Sequence, residues 1–267
     1  MSAIDTLFAN LRATGRKALM PFITAGDPDL AFTGDVLRTL VARGCHMCEL
    51  GIPYSDPIAD GPVIQASYTR ALTHKIKLAE ILEMLSGTAP KLAAPVVTMV
   101  SYAIVHRHGP QQYVDAAQAA GVCGAIVPDL PVEEGPALAK ICKAADFSLI
   151  QLVTPTTPKA RAVQIAERST GFLYYVSVAG ITGERTSLPP ALLDDVAWLR
   201  EQTPLPICIG FGISQPEHVR LLAPVADGLI VGSAIVRRIA NAADQPREKV
   251  LADVGGYVAR LLQALNG

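Results

Sequence analysis

The stretch Ala18–Arg43, ALMPFITAGDPDLAFTGDVLRTLVAR, decides the fold. Its first seven residues form a continuous apolar run, the pattern of a strand covered on both faces. From about 29 to 43 the pattern becomes that of an amphipathic helix. The turn between them, Thr24-Ala25-Gly26-Asp27-Pro28, lacks the glycine fingerprint that opens a doubly wound dinucleotide-binding sheet. The same strand-then-helix alternation also fits an open sheet, so the rest of the chain has to decide between the two.

Further apolar runs follow at 46–50, 95–100, 124–128, 148–153, 171–178, 206–211 and 227–232, giving eight strand candidates with the first. Helical-period segments lie between most of them, at about 77–87, 109–120, 132–145, 158–168, 189–202 and 214–223, and a last helix near 247–265 closes the chain. Strict alternation calls for a parallel sheet, and eight such units predict a (β/α)8 TIM barrel. Ahead of the first strand, Ile4, Leu7, Phe8 and Leu11 repeat at helical spacing behind Ser2 and Asp5, a loose capping box, so an extra N-terminal helix is expected. A short extra helix is expected after the eighth strand. No linker, repeat or low-complexity segment divides the chain, and residues 1–267 are read as a single barrel domain.

Half of the 267 residues are hydrophobic and the formal net charge is −1. A near-neutral chain with no basic cluster longer than Arg237-Arg238 does not suit nucleic acid as a partner. No apolar run reaches the roughly 18 residues of a membrane span. The first residues do not read as an export signal, and the five cysteines (Cys45, Cys48, Cys123, Cys142, Cys208) are scattered, which together predict a cytoplasmic location. Cys45 and Cys48 spell C-x-x-C, but inside an expected strand, where that spacing sends the side chains to opposite faces. They are read as structural thiols.

Two loops at the carboxyl ends of the strands are long, about 51–61 and 179–188, and this face builds the active site of essentially every characterised barrel of this kind. The first lies within CELGIPYSDPIADGPVIQ, Cys48–Gln65. Glu49 shares a strand face with Met47, opposite His46, Cys48 and Leu50, and is expected to point into the barrel mouth. There, lost hydration raises a carboxyl pKa toward the range useful for proton transfer. Asp56 and Asp60 sit among Pro53, Pro57 and Pro62; either can be a turn former, and Asp60 can instead cap a short helix beginning after Gly61.

Strands 7 and 8 end in Gly210-Phe211-Gly212-Ile213-Ser214 and Gly232-Ser233-Ala234-Ile235. Glycine loops at these two positions, with a short helix N-terminus beside them, form the recurrent phosphate site of the fold. A phosphate-bearing substrate is expected. No lysine occupies a strand core, which disfavours Schiff-base aldolase chemistry. His106-Arg107-His108 has metal-like spacing but no evident third ligand, and is read as a solvated loop.

These residues resemble the tryptophan synthase alpha subunit. Leu50–Pro62, LGIPYSDPIADGP, carries the most specific likeness, and Pro21–Pro28, Asp129–Glu134, Gly180–Gly183, Gly210–Ser214 and Gly232–Val236 match in order, so the likeness spans nearly the whole chain. It implies retro-aldol cleavage of indole-3-glycerol phosphate to indole and glyceraldehyde 3-phosphate, with no cofactor in this chain. By that resemblance Glu49 protonates the indole ring and Asp60 accepts the indole N–H. Tyr174 matches a family tyrosine near the catalytic glutamate and Phe22 an aromatic of the indole pocket, Thr182 belongs to a lid that engages Asp60, and Gly183, Gly212, Gly232 and Ser233 hold the phosphate. Two alpha chains flanking a dimer of pyridoxal-phosphate beta subunits are implied, with Pro53, Asp56 and Pro57 on the partner-facing side. The chain departs from the family at Ile104, where asparagine is common, and at Glu184, which replaces a small residue in the lid. Two readings stand beside the alpha subunit: a stand-alone lyase that releases indole, and a non-catalytic barrel that activates a beta subunit. Intact Glu49 and Asp60 argue against the last.

Overall fold

A computed structural model describes residues 2–57, 60–176, 191–210 and 212–267. Among them, eight strands close into a parallel barrel in sequence order: β1 Ala18–Thr24, β2 Cys48–Gly51, β3 Val96–Met99, β4 Val122–Ile126, β5 Ser148–Val153, β6 Leu173–Val176, β7 Ile207–Gly210 and β8 Gly228–Val231. The helices are α1 Ala3–Ala13, α2 Leu30–Ala42, α3 Pro62–Thr73, α4 Leu78–Thr88, α5 Tyr102–His108, α6 Pro110–Ala119, α7 Pro136–Ala144, α8 Lys159–Arg168, α9 Leu192–Gln202, α10 Pro216–Leu222, α11 Ser233–Ala240 and α12 Arg247–Asn266. The expected barrel, N-terminal helix and short helix after β8 are all present. The segment 177–190, which contains the whole of the expected sixth-strand loop and the end of the expected sixth strand, lies outside the described residues.

Alternation along each strand sorts the apolar residues into two bodies. Met20, Phe22, Val97, Met99, Ile126, Ile150, Tyr174, Cys208 and Ile230 point inward and pack as one cluster. Their neighbours Leu19, Ile23, Cys48, Leu50, Leu149, Leu173, Ile209 and Leu229 point outward and pack under the helices. Both faces of the sheet are therefore dry, which is why the strands read as continuous apolar runs. Each apolar side chain so buried contributes roughly 1.5–3 kcal/mol.

α1 plugs the amino-terminal end of the barrel, with Ile4, Phe8 and Leu11 joining the inner cluster and Phe8 lying 6.0 Å from Phe172 between ring centroids. Its start is fixed by the expected capping box: Ser2 Oγ accepts from Asp5 N at 3.1 Å and Asp5 Oδ2 from Ser2 N at 3.0 Å.

Three expectations change. His106–His108 form the last turn of α5, a helix whose apolar contacts fit into two turns and are masked in sequence by its basic end. The helix after Gly61 is not short: α3 runs for 12 residues, starting from Pro62 at its first position. Cys45 and Cys48 do not point to opposite faces. β2 begins only at Cys48, so strand alternation does not govern Cys45, and both thiols lie in the outer apolar cluster. Both are free and buried, and burial pushes the Cys48 thiol up to about 12, as expected of structural cysteines.

Candidate active site

Glu49 lies on β2 in register with Phe22 of β1 on one side and Val97 of β3 on the other. Both neighbours belong to the inner cluster, so the glutamate is aimed into the barrel, as its pairing with Met47 predicted. It is 2 % exposed, and its Oε1 is the buried side-chain oxygen without a hydrogen-bond partner among the described residues. An ionised carboxylate cannot be held cheaply in such a place. Burial, with the nearby Asp60 charge adding to it, pushes its pKa up to about 8, so at neutral pH the group keeps its proton.

Asp60 arrives from the loop after β2. Its backbone N–H donates to the Pro57 carbonyl at 3.0 Å, and its carbonyl accepts from Gln65 Nε2 of α3 at 2.7 Å, so the first turn of α3 anchors the loop. The helix-cap reading of Asp60 fails: Gly61 is the cap residue, and the start of α3 carries no side-chain cap. Its carboxyl is thus left for the cavity. Burial alone raises it, to about 6, and the two acids separate into a protonated glutamate and an ionised aspartate between about pH 6 and 8.

Tyr174 faces inward from β6, its phenol raised well above the ordinary range by burial, then by Glu49 and Asp60. A Cβ on Gly210 would stand 2.2 Å from the Tyr174 hydroxyl, so only glycine there admits the ring. Phe22 connects the acids to the anion cradle. It faces Glu49 across the β1–β2 register, and a Cβ on Gly232 would lie 3.5 Å from its ring and its own Cβ. Since β1 separates β2 from β8, cradle and acid are two strand spacings apart, about 10 Å.

The phosphate cradle expected from the sequence falls at the N-terminus of α11, with Gly232 at the cap and Ser233 first in the helix, both half-buried, while Gly212, at φ +78, follows β7, the strand next to β8. The first N–H groups of an α-helix have no acceptor inside it and carry the positive end of its dipole, the usual means of holding a phosphate. Thr182, Gly183 and Glu184 lie outside the described residues. On the loop after β2, Asp56 is exposed and accepts from Ser55 Oγ at 2.9 Å, while Pro57 is half-buried. Pro53 is buried within this chain and sets the path of the loop, leaving Asp56 and Pro57 as its outward side.

The structure adds residues that sequence reasoning passed over. Ile64 and Tyr68 reach the inner cluster from α3, and Tyr54 packs on Tyr68 with ring centroids 5.7 Å apart. The spacing of Ile64, Tyr68 and Ala71 is the signal that would have found them. Asp129, in the loop after β4, accepts from Ser101 Oγ and from Tyr102 N, each at 2.7 Å, and ties that loop to the start of α5. Ile104 is partly buried against the outer apolar core. No group of three or more His, Cys, Asp or Glu arranged to hold a metal occurs among the described residues.

The family model described as tryptophan synthase alpha chain matches residues 8–263. The chain is 55 % identical to the tryptophan synthase alpha chain of Rhodopirellula baltica, over all of this chain and 99 % of that one, and 43 % identical to that of Gloeobacter violaceus over 98 % and 95 %. Among solved structures, the tryptophan synthase subunit alpha of Legionella pneumophila superposes with a TM-score of 0.90 at 35 % identity, covering 99 % of this chain and 98 % of that one. A Mycobacterium tuberculosis tryptophan synthase chain gives 0.90 at 27 % over 100 % and 99 %. With a closed eight-strand barrel, two buried acids at its mouth and a sequence match across nearly its whole length, the chain belongs to the tryptophan synthase alpha chain family.

Proposed function

We propose that Glu49 and Asp60 divide the chemistry of one reaction between them, Glu49 moving protons and Asp60 stabilising charge. The reaction is that of the family: indole-3-glycerol phosphate is cleaved to indole and glyceraldehyde 3-phosphate, a carbon–carbon lyase step of tryptophan biosynthesis. Direct cleavage would expel a poor carbanion, so the ring must first accept a proton. The Glu49 carboxyl gives its proton to C3 of the indole, and positive charge develops at the ring nitrogen, whose N–H donates to the Asp60 carboxylate. The Glu49 carboxylate then takes the proton of the hydroxyl on the adjoining glyceryl carbon. That oxygen's electrons form the aldehyde carbonyl, the carbon–carbon bond breaks, and its pair restores the aromatic ring. Glu49 ends protonated, as it began.

One observation carries this reading: a buried glutamate, one oxygen of which has no hydrogen-bond partner among the described residues, pushed up by burial to about 8 within the field of an acid raised only to about 6. Phe22 and Tyr174 give the indole its walls, and Gly212, Gly232 and Ser233 take the phosphate, with Thr182 and Gly183 assigned to the lid and phosphate by the family likeness. Alpha subunits of the family need no cofactor of their own and work with pyridoxal-phosphate beta subunits in an alpha2beta2 complex. Asp56 and Pro57 form the face offered to that partner, with Pro53 shaping it from beneath. We place the chain in the cytoplasm as one barrel domain. That fits amino-acid biosynthesis, and no helix among the described residues is long and apolar enough to cross a membrane.

The test is indole release by Glu49→Gln, with and without a beta subunit. Activity is expected to fall by about 10³-fold while the circular dichroism spectrum is unchanged. Retention of most of the activity would remove Glu49 from the proton-transfer role.

A further inference from the structure

Gln65 stands one turn into α3, its backbone N–H donating to the Gly61 carbonyl at 3.0 Å. Side chains on a helix tilt toward its N-terminus, so the half-buried Gln65 side chain runs back to the loop that leads into the helix. There its Nε2 meets two backbone carbonyls, that of Asp60 at 2.7 Å and that of Pro57 at 3.3 Å. A primary amide carries two N–H donors on that nitrogen, one for each. The Pro57 carbonyl also accepts from the Asp60 N–H at 3.0 Å, so Pro57, Asp60 and Gln65 close a ring of hydrogen bonds. The helix that supplies the amide is itself held to β1 and the loop after it. Ser67 Oγ lies 2.6 Å from Thr24 Oγ1, and Arg70 Nε and Nη2 donate to the Asp27 carboxylate at 2.8 and 2.6 Å.

We infer that Gln65 is a positioning residue of the lyase: its side-chain amide grips the backbone of Asp60 and Pro57 and so keeps the Asp60 carboxylate aimed where the indole N–H arrives. The inference rests on the role given above to Asp60. Both partners of Nε2 are carbonyls, so the group facing them must donate twice, and an amide does this without adding a charge beside the two acids. Pro57 and Pro62 bring no N–H of their own, which leaves the loop short of backbone donors. Asp60 is 9 % exposed, and a buried carbonyl that loses its donor turns until it finds another. The Asp60 carbonyl shares its Cα with the carboxyl, so a turn of that peptide re-aims the acid.

Gln65→Met, which keeps the length and removes both donors, tests this in the complex with the beta subunit. For indole release kcat is expected to fall about 10-fold with KM within about threefold, because the ring walls and the phosphate cradle lie on β1, β6 and α11. Gln65→Glu, of the same shape but facing both carbonyls with acceptors, should lose at least as much. In an Asp60→Asn background, Gln65→Met should cost less than about twofold more, since the carboxylate it positions is already gone. Ser67→Ala, which loosens the seat of α3 without touching the amide, should leave kcat within about twofold. An undiminished kcat in Gln65→Met or Gln65→Glu overturns the proposal, as does an equal loss in Ser67→Ala. If Asp60→Asn is impaired and Gln65→Met costs the same factor with and without it, this inference alone fails; an Asp60→Asn enzyme that keeps its activity removes the reading beneath it.

Discussion

Asp227 and Glu49 are carboxyls buried at opposite ends of the barrel, and the two are treated in opposite ways. At the amino-terminal end, Asp227 just before β8 accepts from Arg200 Nη2 at 2.7 Å and from the Ile207 N–H at 3.0 Å, with Arg12 Nε of α1 at 3.7 Å. At the carboxyl-terminal end, Glu49 is buried more completely and one of its oxygens has no partner among the described residues. Both side chains are buried, so burial by itself says nothing about function. What distinguishes them is satisfaction: a paired buried acid holds elements together, whereas an unpaired one stores the cost of its own ionisation and gives up a proton on demand.

This contrast can be broken in three further ways. Asp60→Asn should lower indole release about 10²-fold and remove the acid limb near pH 6 from the kcat/KM profile, leaving the alkaline limb near pH 8. An acid limb that persists would assign it to another group. Asp227→Ala at the opposite end should do the reverse, costing about 2–3 kcal/mol in urea unfolding while leaving kcat of the folded enzyme within twofold; the figure is held down because its arginine partners are half exposed. A loss of kcat without a loss of stability would erase the distinction between the two ends.

The smallest effect concerns the stability that Glu49 withholds. Its folded pKa, about 8, lies above the value of about 4.5 for an exposed glutamate, so between these pH values the folded chain binds a proton that the unfolded chain has released. Stability therefore falls as pH rises through this window, and its loss is complete above about pH 8. Glu49→Gln should accordingly raise Tm at pH 8.5 and change it little at pH 4.5. Equal Tm differences at both pH values would show that the carboxyl is not desolvated.

Much of this site was legible in the sequence, because strand alternation is rigid. Once β2 was located, the inward aim of Glu49 followed from its spacing to Met47, and the glycines after β7 and β8 followed from strand order. Where a segment lay outside a regular element, the same rule misled: Cys45 was given a face by counting back along a strand that had not yet begun. α3 was underestimated because its polar residues obscure the spacing of Ile64, Tyr68 and Ala71, and with it Tyr68 was missed. α5 was lost for a similar reason, its buried contacts being few and its last turn basic.

By itself the sequence determined the parallel barrel, an extra helix ahead of its first strand and the presence of a carboxyl at its mouth, because these depend on local hydrophobic period and on strand order, which the chain writes in one dimension. Only the tertiary structure decided which buried acid would be paired and which left alone, and that an amide from α3 would hold the loop carrying Asp60. Pairing, desolvation and the shared field of two carboxyls arise between residues distant in the chain, and their energies depend on distances that closure of the barrel alone sets.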